Sequence, residues 1–266
     1  MLSVISVVTL LTDFGDRDYF VASMKGVILG INSQARIVDL SHQVTPHSIE
    51  EAAFLLKSCY HYFPDGTVHV VVVDPGVGSA RRPLLVSTSR YFFVAPDNGV
   101  LSYIYENELS VEVRHIENRQ FRLNSEGATF DGRDLFAPAG AWLTRGQVPG
   151  SYGRLIRDHV RLSIKQPEVH HGVLEGRVAY IDSFGNVISD ITPTDLKTLQ
   201  EATKRTDIAI QVGATTIKGL KTHYGQGSSE SPEALINSNG HLEVFLKEGR
   251  AANHLGVKVG DPIQVS

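Results

Sequence analysis

Apolar side chains follow two alternating spacings along the chain as far as about residue 160. Between strand-like runs, residues 19–31 carry apolar side chains at the three- and four-residue spacing of a helix face. The runs of strand length, rich in β-branched residues, lie at residues 4–11, 37–40, 68–73, 84–87 and 91–95. This alternation predicts right-handed crossovers and a mainly parallel sheet with helices on its faces.

A capping signal predicts a second helix before the strongest strand. Ser48 is followed three residues later by Glu51, the pattern of a capping box, and apolar residues continue to Cys59. The turn signal Pro64-Asp65-Gly66 ends this segment.

The pattern changes after a polar stretch at residues 165–172, which has the composition of a linker. Beyond it, turn residues separate short predicted strands at 177–181, 187–191, 208–212, 215–217, 234–236 and 242–245. The sequence therefore predicts an α/β protein with two domains. These are an N-terminal α/β domain, residues 1–165, and a smaller C-terminal β-rich, barrel-like domain, residues 172–266.

Composition excludes several classes of protein. The 266 residues are 42% hydrophobic, enough for a folded core, and the net charge of −4 makes nucleic acid an unexpected partner. Cys59 is the only cysteine, which excludes an internal disulfide and is typical of a reducing compartment. The apolar N-terminal run has no preceding basic residue and is shorter than the ~20 residues of a membrane span. We expect a cytoplasmic protein with no membrane partner.

Acidic residues follow three predicted strands: Asp13, Asp74 and Asp97. Ligands of an open parallel sheet bind past the carboxyl ends of its strands, and carboxylates there favour a cationic or hydroxyl-rich ligand. Asp13 fits a ribose diol and equally a helix N-cap, whereas Asp97-Asn98-Gly99 is foremost a turn. Gly76-Val77-Gly78 matches neither GxGxxG nor a P-loop, and neither HExxH nor GxSxG occurs.

Several strings along the chain together resemble a known family. In order, they are Thr12-Asp13-Phe14-Gly15, Met24-Lys25-Gly26, Asp74-Pro75-Gly76-Val77-Gly78, Ala95-Pro96-Asp97-Asn98-Gly99, Gly132-Arg133-Asp134 and Phe184-Gly185-Asn186-Val187. They resemble the S-adenosyl-L-methionine (SAM) hydroxide adenosyltransferases, or SAM hydrolases, relatives of the fluorinating and chlorinating enzymes. The resemblance implies hydrolysis of SAM to adenosine and L-methionine without a metal or other cofactor. It also implies a homotrimer, with each site between the N-terminal domain of one subunit and the C-terminal domain of its neighbour.

The resemblance assigns the ribose and ammonium contacts by position. It implies that Asp13 holds the ribose diol and that His47 stands where the family has an aromatic wall. It further implies that Asp18 and Asp182 face the methionine ammonium. The alternative for Asp182 is the chemistry of a turn between strands.

The remaining substrate contacts are implied in the same way. Phe184 and Tyr224 would sandwich the adenine, Asn186 would read its edge, and Ser238 would meet the methionine carboxylate. The alternatives are core packing for the two aromatic residues and a turn role for Asn186.

The chemistry implied by the family is nucleophilic substitution at the ribose C5′. Methionine is a good neutral leaving group, so the enzyme must supply an in-line nucleophile and exclude bulk water. Asp74 and Arg81 match two residues that surround the attacking water or hydroxide in the hydrolases. The halogenating enzymes carry a hydroxyl where Asp74 stands, and a carboxylate repels a halide, so Asp74 favours water.

Asp131 departs from the family pattern. The string reads Thr129-Phe130-Asp131 here, and the resemblance implies a histidine in place of Asp131 in the hydrolases. With aspartate in this position, the three catalytic candidates Asp74, Arg81 and Asp131 have a net charge of −1. Two like charges ~4 Å apart repel by about 4 kcal/mol at an effective dielectric near 20. Three interpretations remain open: Asp131 is a general base, it pairs with Arg81 in a slow enzyme, or it was introduced to trap substrate. Asp131→His is expected to raise turnover.

Three other functions are compatible with the sequence. One is a halide-using 5′-halo-5′-deoxyadenosine synthase, and another is an adenosine- or SAM-binding protein whose catalysis lapsed with the histidine. The last, without any relationship to the family, is a metal hydrolase using Asp97, Asp131 and Asp134.

Overall fold

The chain divides into two compact units, Met1–Ser163 and Ile164–Ser266. The computed structural model describes residues 6–127 and 129–266, so the first two residues of the run predicted at 4–11 lie outside it. Within those ranges, no helix has both the length and the apolar character needed to cross a membrane. The domain limits predicted from the sequence, 165 and 172, remain a proposal.

The first unit contains a six-stranded sheet with the order β2-β1-β3-β5-β4-β6. Its strands are β1 (Val7–Thr12), β2 (Arg36–Ser41), β3 (Val68–Val72), β4 (Pro83–Ser87), β5 (Phe92–Pro96) and β6 (Glu112–His115). Its α-helices are α1 (Phe20–Ile31), α2 (Ile49–Cys59), α3 (Ser102–Asn107) and α4 (Ala137–Leu143). The neighbours β2, β1, β3 and β5 are parallel, whereas β4 runs antiparallel to β5 and β6.

Both faces of this sheet are covered, which explains the apolar strand sequences. Val70 of β3 packs in one core with Met24 of α1 and Ala139 of α4. The adjacent Val71 packs on the opposite face with Leu56 of α2. Consecutive valines are therefore buried on opposite faces, as the period of a strand requires.

The strand order places a switch point between β1 and β3. Because β1 lies between β2 and β3, the chain leaves it toward one side of the sheet and later returns on the other. Such sheets bind ligands in the crevice at the carboxyl ends of these strands. Asp13 directly follows β1 and Asp74 follows β3 by two residues, so both lie at this crevice.

The predicted helix after Ser48 is present, but its capping box is half formed. Ser48 Oγ accepts a hydrogen bond from Glu51 N at 3.4 Å. The Glu51 carboxylate accepts from Thr45 N at 3.3 Å, while Ser48 N donates to Thr45 O at 2.9 Å. The cap thus holds a turn in which His47 adopts a positive φ of 69°.

The second unit is built on an antiparallel sheet with the order β11-β10-β14-β8-β9-β13-β12, and β7 pairs with β8. The strands are β7 (Glu168–His170), β8 (Val173–Ile181), β9 (Val187–Ser189), β10 (Ala209–Val212), β11 (Thr215–Lys218), β12 (Glu233–Ile236), β13 (Leu242–Phe245) and β14 (Pro262–Val265). Its α-helices are α5 (Pro193–Thr203) and α6 (Ala251–Leu255). Lys221, just after β11, bridges to Leu235 of β12, so the two edges of the sheet approach each other. The predicted α/β class with a barrel-like β region is confirmed, although β7 lies inside the stretch predicted as a linker.

A buried histidine in β3 predicts a loss of stability in acid. His69 is stacked on Phe93, its Nδ1 lies 2.8 Å from Thr9 Oγ1, and burial lowers its pKa to about 3. Only the unfolded chain binds this proton between pH 6.5 and 3, so stability falls as the pH falls through that window. We expect His69 alone to remove about 2 kcal/mol of unfolding free energy between pH 7 and pH 5. Denaturant titrations of His69→Phe at both pH values should show a difference smaller by this amount.

The matched control is His171→Asn, because His171 is exposed and has a positive φ of 51° that asparagine tolerates. This variant should keep the pH dependence of the unmodified protein. An unchanged pH dependence in His69→Phe would show that the buried imidazole is protonated in the folded state.

Candidate active site

A cavity of about 310 Å³ lies at the carboxyl ends of β1 and β3. It brings together four residues predicted for the site: Asp13, His47, Asp74 and Asp131. The other lining residues are largely apolar: Phe14, Phe20, Pro46, Val72, Val77, Thr129, Phe130 and Gly132. Charges interact more strongly beside such a wall than in water.

Asp74 and Arg81 form a nearly buried ion pair beside this cavity. Their side chains are 5% and 11% exposed, and Arg81 Nε donates to Asp74 Oδ2 at 2.8 Å. Burial lowers the pKa of Arg81, but its bonds to Asp74 and Asp131 outweigh this and raise the pKa above its ordinary value. Asp74 Oδ1 is buried and has no hydrogen-bond partner within the described part of the chain. One carboxylate oxygen is thus held by the guanidinium and the other is free to accept.

The glycines of the loop after β3 allow this arrangement. A Cβ at Gly76 would lie 3.3 Å from Arg81 Cγ and 3.6 Å from Asp74 Oδ1. Gly78 has a φ of 80°, which L side chains rarely adopt. The motif therefore folds the arginine back onto the aspartate and does not form a phosphate cradle.

Asp131 makes ion pairs through both of its oxygens. Arg81 Nη2 donates to Asp131 Oδ2 at 2.6 Å, and Arg122 Nη2 donates to Asp131 Oδ1. Asp74, Arg81, Asp131 and Arg122 therefore form a chain of alternating charges with a formal sum of zero. Sequence reasoning missed Arg122, because no motif marks an arginine nine residues before its partner. The predicted net charge of −1 at this centre is corrected by this fourth residue.

Asp131 immediately precedes a π-helical turn, Gly132–Phe136, that continues into α4. A Cβ at Gly132 would lie 3.2 Å from Phe14 and 3.0 Å from Phe130. The rings of Phe14 and Phe130 meet edge to face with centroids 5.8 Å apart. The close packing of this glycine thus sets Asp131 against the aromatic wall of the cavity.

Asp13 is connected to the turn that carries His47. Asp13 Oδ2 accepts a hydrogen bond from His47 N at 2.9 Å. The N-cap of α1 is Tyr19, so the alternative of Asp13 as a helix cap is wrong. Asp18 is exposed in the loop between β1 and α1.

In the second unit, Asp182 organises the loop between β8 and β9. Its Oδ1 accepts from Phe184 N at 2.9 Å and from Asn186 N at 2.8 Å, and its Oδ2 accepts from Asn186 Nδ2 at 3.0 Å. This loop holds Phe184 with 75% of its surface exposed. Core packing of Phe184 within the chain is therefore wrong, and the predicted turn role of Asp182 and Asn186 is present.

Tyr224 is also exposed, at 49%, and it is anchored by a buried carboxylate. Its hydroxyl donates to Glu243 Oε1 at 2.7 Å, and Asn237 Nδ2 donates to Glu243 Oε2 at 3.0 Å. Burial and the contact with Glu243 raise the pKa of the Tyr224 phenol, so it is the donor of this bond at neutral pH. Ser238 is exposed in the turn between β12 and β13 that follows Asn237. The site residues predicted from the sequence thus fall into two groups, one in each unit.

Both units match one family of proteins. Residues 8–153 match the SAM hydroxide adenosyltransferase N-terminal domain, and residues 176–264 match the C-terminal domain. The chain belongs to this family. The resemblance inferred from the sequence strings is therefore confirmed.

Proteins similar to this chain include hydrolases and a fluorinase. An (R)-S-adenosyl-L-methionine hydrolase from Methanocaldococcus jannaschii is 32% identical, covering 98% of this chain and 96% of its own length. A fluorinase from an Actinoplanes species is 27% identical, covering 98% and 97%. A solved structure from Thermotoga maritima, described as an uncharacterized conserved protein, has a TM-score of 0.89 and 33% identity, covering 97% of this chain and 99% of that one.

The carboxylates of the metal-hydrolase alternative are paired with arginines in the structure. Arg82 Nε donates to Asp97 Oδ2 at 2.8 Å, and Arg133 Nε donates to Asp134 Oδ1 at 2.6 Å, while Asp131 is paired as described above. Over residues 6–127 and 129–266, no group of three or more His, Cys, Asp or Glu side chains is arranged to hold a metal ion. The geometry therefore does not favour that alternative. Asn98 Oδ1 accepts from Val100 N at 3.1 Å and Gly99 has a φ of 95°, in agreement with the predicted turn at Asp97-Asn98-Gly99.

Proposed function

We propose that the protein hydrolyses SAM to adenosine and L-methionine by attack of water or hydroxide at the ribose C5′. The observation that carries the proposal is the buried pair of Asp74 and Arg81 beside an apolar cavity, with one Asp74 oxygen free to accept. The hydrolase relative at 32% identity is named for the (R) epimer of the substrate, so that epimer is the first to test. The fluorinase relative makes halide the competing nucleophile.

In the proposed reaction, a C5′–O bond forms as the C5′–S bond breaks. The electron pair of the broken bond goes to sulfur, which leaves as neutral methionine, and the proton of the attacking water passes to Asp74 and then to solvent. Arg81 holds Asp74 Oδ2 and directs the free Oδ1 toward the water. A positioned base of this kind contributes about 10² to 10⁴ in rate. The apolar wall keeps other water from the sulfonium.

Substrate binding is proposed to use both groups of residues. Asp13 holds the ribose diol near His47, and Asp18 and Asp182 attract the methionine ammonium. The ammonium is a cation, so exposed or half-exposed carboxylates suit it. Ser238 meets the methionine carboxylate.

The adenine is proposed to lie between Phe184 and Tyr224, with Asn186 at its edge. The exposure of both aromatic side chains supports this role, because isolated apolar rings on a surface are favourable stacking partners. The assembly proposed with it is a homotrimer in the cytoplasm, with sites at subunit interfaces.

The proposal is tested by incubating the purified chain with each SAM epimer and separating the products by chromatography. We expect equal amounts of adenosine and methionine, unaffected by a chelator, and no 5′-chloro-5′-deoxyadenosine in added chloride. A chlorinated product would instead identify the halide-using alternative. Tight binding by calorimetry without any product after long incubation would identify a binding protein.

A further inference from the structure

The least expected feature of the first unit is the second arginine on Asp131. The Asp131 side chain is 8% exposed, whereas that of Arg122 is 43% exposed. Arg122 follows the short 3-10 turn Arg119–Phe121 and also lines an open groove of about 700 Å³. Its side chain therefore reaches from an open groove to a carboxylate that lines the candidate site cavity.

We infer that Arg122 is a positioning residue that holds Asp131 against Arg81 and balances the charge of the centre. The inference rests on the proposed function and adds to it a residue that does not touch substrate. This residue supplies the positive charge that Asp74, Arg81 and Asp131 lack among themselves. Arg122 supplies this charge from a segment of the chain that precedes Asp131.

Charge balance matters here because the centre is nearly dry. An additional unpaired carboxylate beside Asp74 would favour protonation of one of the two acids, since like charges at short distance disfavour ionisation. A protonated Asp74 is not a base. With Arg122 present, both Asp131 oxygens contact a guanidinium, and Asp74 Oδ1 is left free to accept from water.

The other charged groups near Asp131 do not supply this balance. On the turn that follows it, Arg133 is paired with Asp134. Across the cavity, Asp13 adds negative charge and His47 is exposed. Arg81 is shared with Asp74. Arg81 thus pairs with two acids of the cavity, whereas Arg122 pairs with Asp131.

The geometry also changes the expected effect of Asp131→His. That single replacement leaves Arg122 without its partner and gives the centre a formal charge of +1, which repels the sulfonium. Adding Arg122→Gln returns the sum to zero, because Asp74 and Arg81 then remain as a single ion pair. We therefore expect the double variant to turn over SAM faster than Asp131→His alone, by about tenfold, the effect of one opposite charge at close range.

The test compares Arg122→Gln, Arg122→Lys and the control Arg119→Gln, an exposed arginine of the same segment and groove. Arg122→Gln should lower kcat about tenfold near the acid limb of the pH–rate profile and move that limb up by about one pH unit. Its KM for cationic SAM should stay the same or fall, because the centre is more negative. Arg122→Lys should restore part of the rate, and Arg119→Gln should match the unmodified protein.

Two results would overturn the inference. One is a pH–rate profile of Arg122→Gln equal to that of Arg119→Gln, and the other is a double variant no faster than Asp131→His. A thermal-unfolding cycle of Arg122→Gln, Asp131→Asn and both together tests the pair without activity, and additive effects would also overturn it. If the unmodified protein forms no adenosine, the proposed function fails, and that outcome is separate from the result of the unfolding cycle.

Discussion

Replacing Asp74 by asparagine is expected to lower kcat for SAM hydrolysis by about 10² to 10⁴, the contribution of a positioned general base. Asparagine has the shape of the aspartate and can still accept from Arg81, but it cannot take the proton of the attacking water. The substitution also raises the formal charge of the four-residue centre from zero to +1. Sulfonium binding should therefore weaken as well, so KM rises while kcat falls.

The measurement is single-turnover formation of adenosine, followed by chromatography across a range of pH. Because the base is gone, the residual rate of Asp74→Asn should lack the acid limb of the unmodified protein. The fold should persist, since Arg81 keeps its bond to Asp131 at 2.6 Å, and a melting curve checks this. Asp16→Asn is the matched control, because Asp16 is an exposed carboxylate of the same loop region that bonds Gln43. If Asp74→Asn retained more than a tenth of the rate, Asp74 would not be the base.

Most of the first unit was predictable because the strands β1, β3, β4 and β5 are largely buried on both faces. The apolar runs at 37–40, 68–73, 84–87 and 91–95 correspond to β2, β3, β4 and β5 within two residues at each end. β6 was missed because Glu112–His115 is an edge strand with two charged residues and little apolar pattern. Val113 is the one buried residue of this strand, so the strand needs no continuous apolar run and its sequence carries a weaker signal.

Local capping chemistry was used at one helix and overlooked at another. α5 begins with a complete capping box, in which Thr192 Oγ1 accepts from Asp195 N and Asp195 Oδ2 accepts from Thr192 N. Pro193 at the first helical position strengthens the same signal. This helix could therefore have been predicted from four residues of sequence, although it lies among short strands.

The candidate site was predictable only where its residues belong to one loop. Asp74 and Arg81 are seven positions apart, and a glycine-rich loop between them makes their contact readable from sequence. Arg122 and Asp131 come from opposite ends of a polar segment whose sequence has no regular spacing. Their contact depends on how that segment folds over the sheet, which is tertiary information. The charge of the centre could therefore be counted only from the structure.

Removing the two exposed rings of the second unit is expected to have the next largest effect. A base stacked on an aromatic side chain gains about 1–3 kcal/mol, so Phe184→Ala or Tyr224→Ala should each weaken adenosine binding about 10- to 100-fold. The double variant should weaken it by about 10³-fold if the rings hold opposite faces of one adenine. Isothermal titration with adenosine measures this directly and does not depend on catalysis.

The hydrogen bond between Tyr224 and the buried Glu243 allows stacking to be separated from anchoring. Tyr224→Phe keeps the ring but removes the bond of 2.7 Å to Glu243 Oε1, so it should lose less affinity than Tyr224→Ala. Phe184→Trp should retain most of the binding, because the larger ring still stacks. Tyr62→Ala, at an exposed ring of the first unit, is the control and should leave the dissociation constant unchanged. A loss of affinity in Phe184→Ala would be due to stacking, because an exposed side chain that contributes to no core has no other reason to alter ligand binding. Equal affinity in Phe184→Ala and the unmodified protein would place the adenine elsewhere.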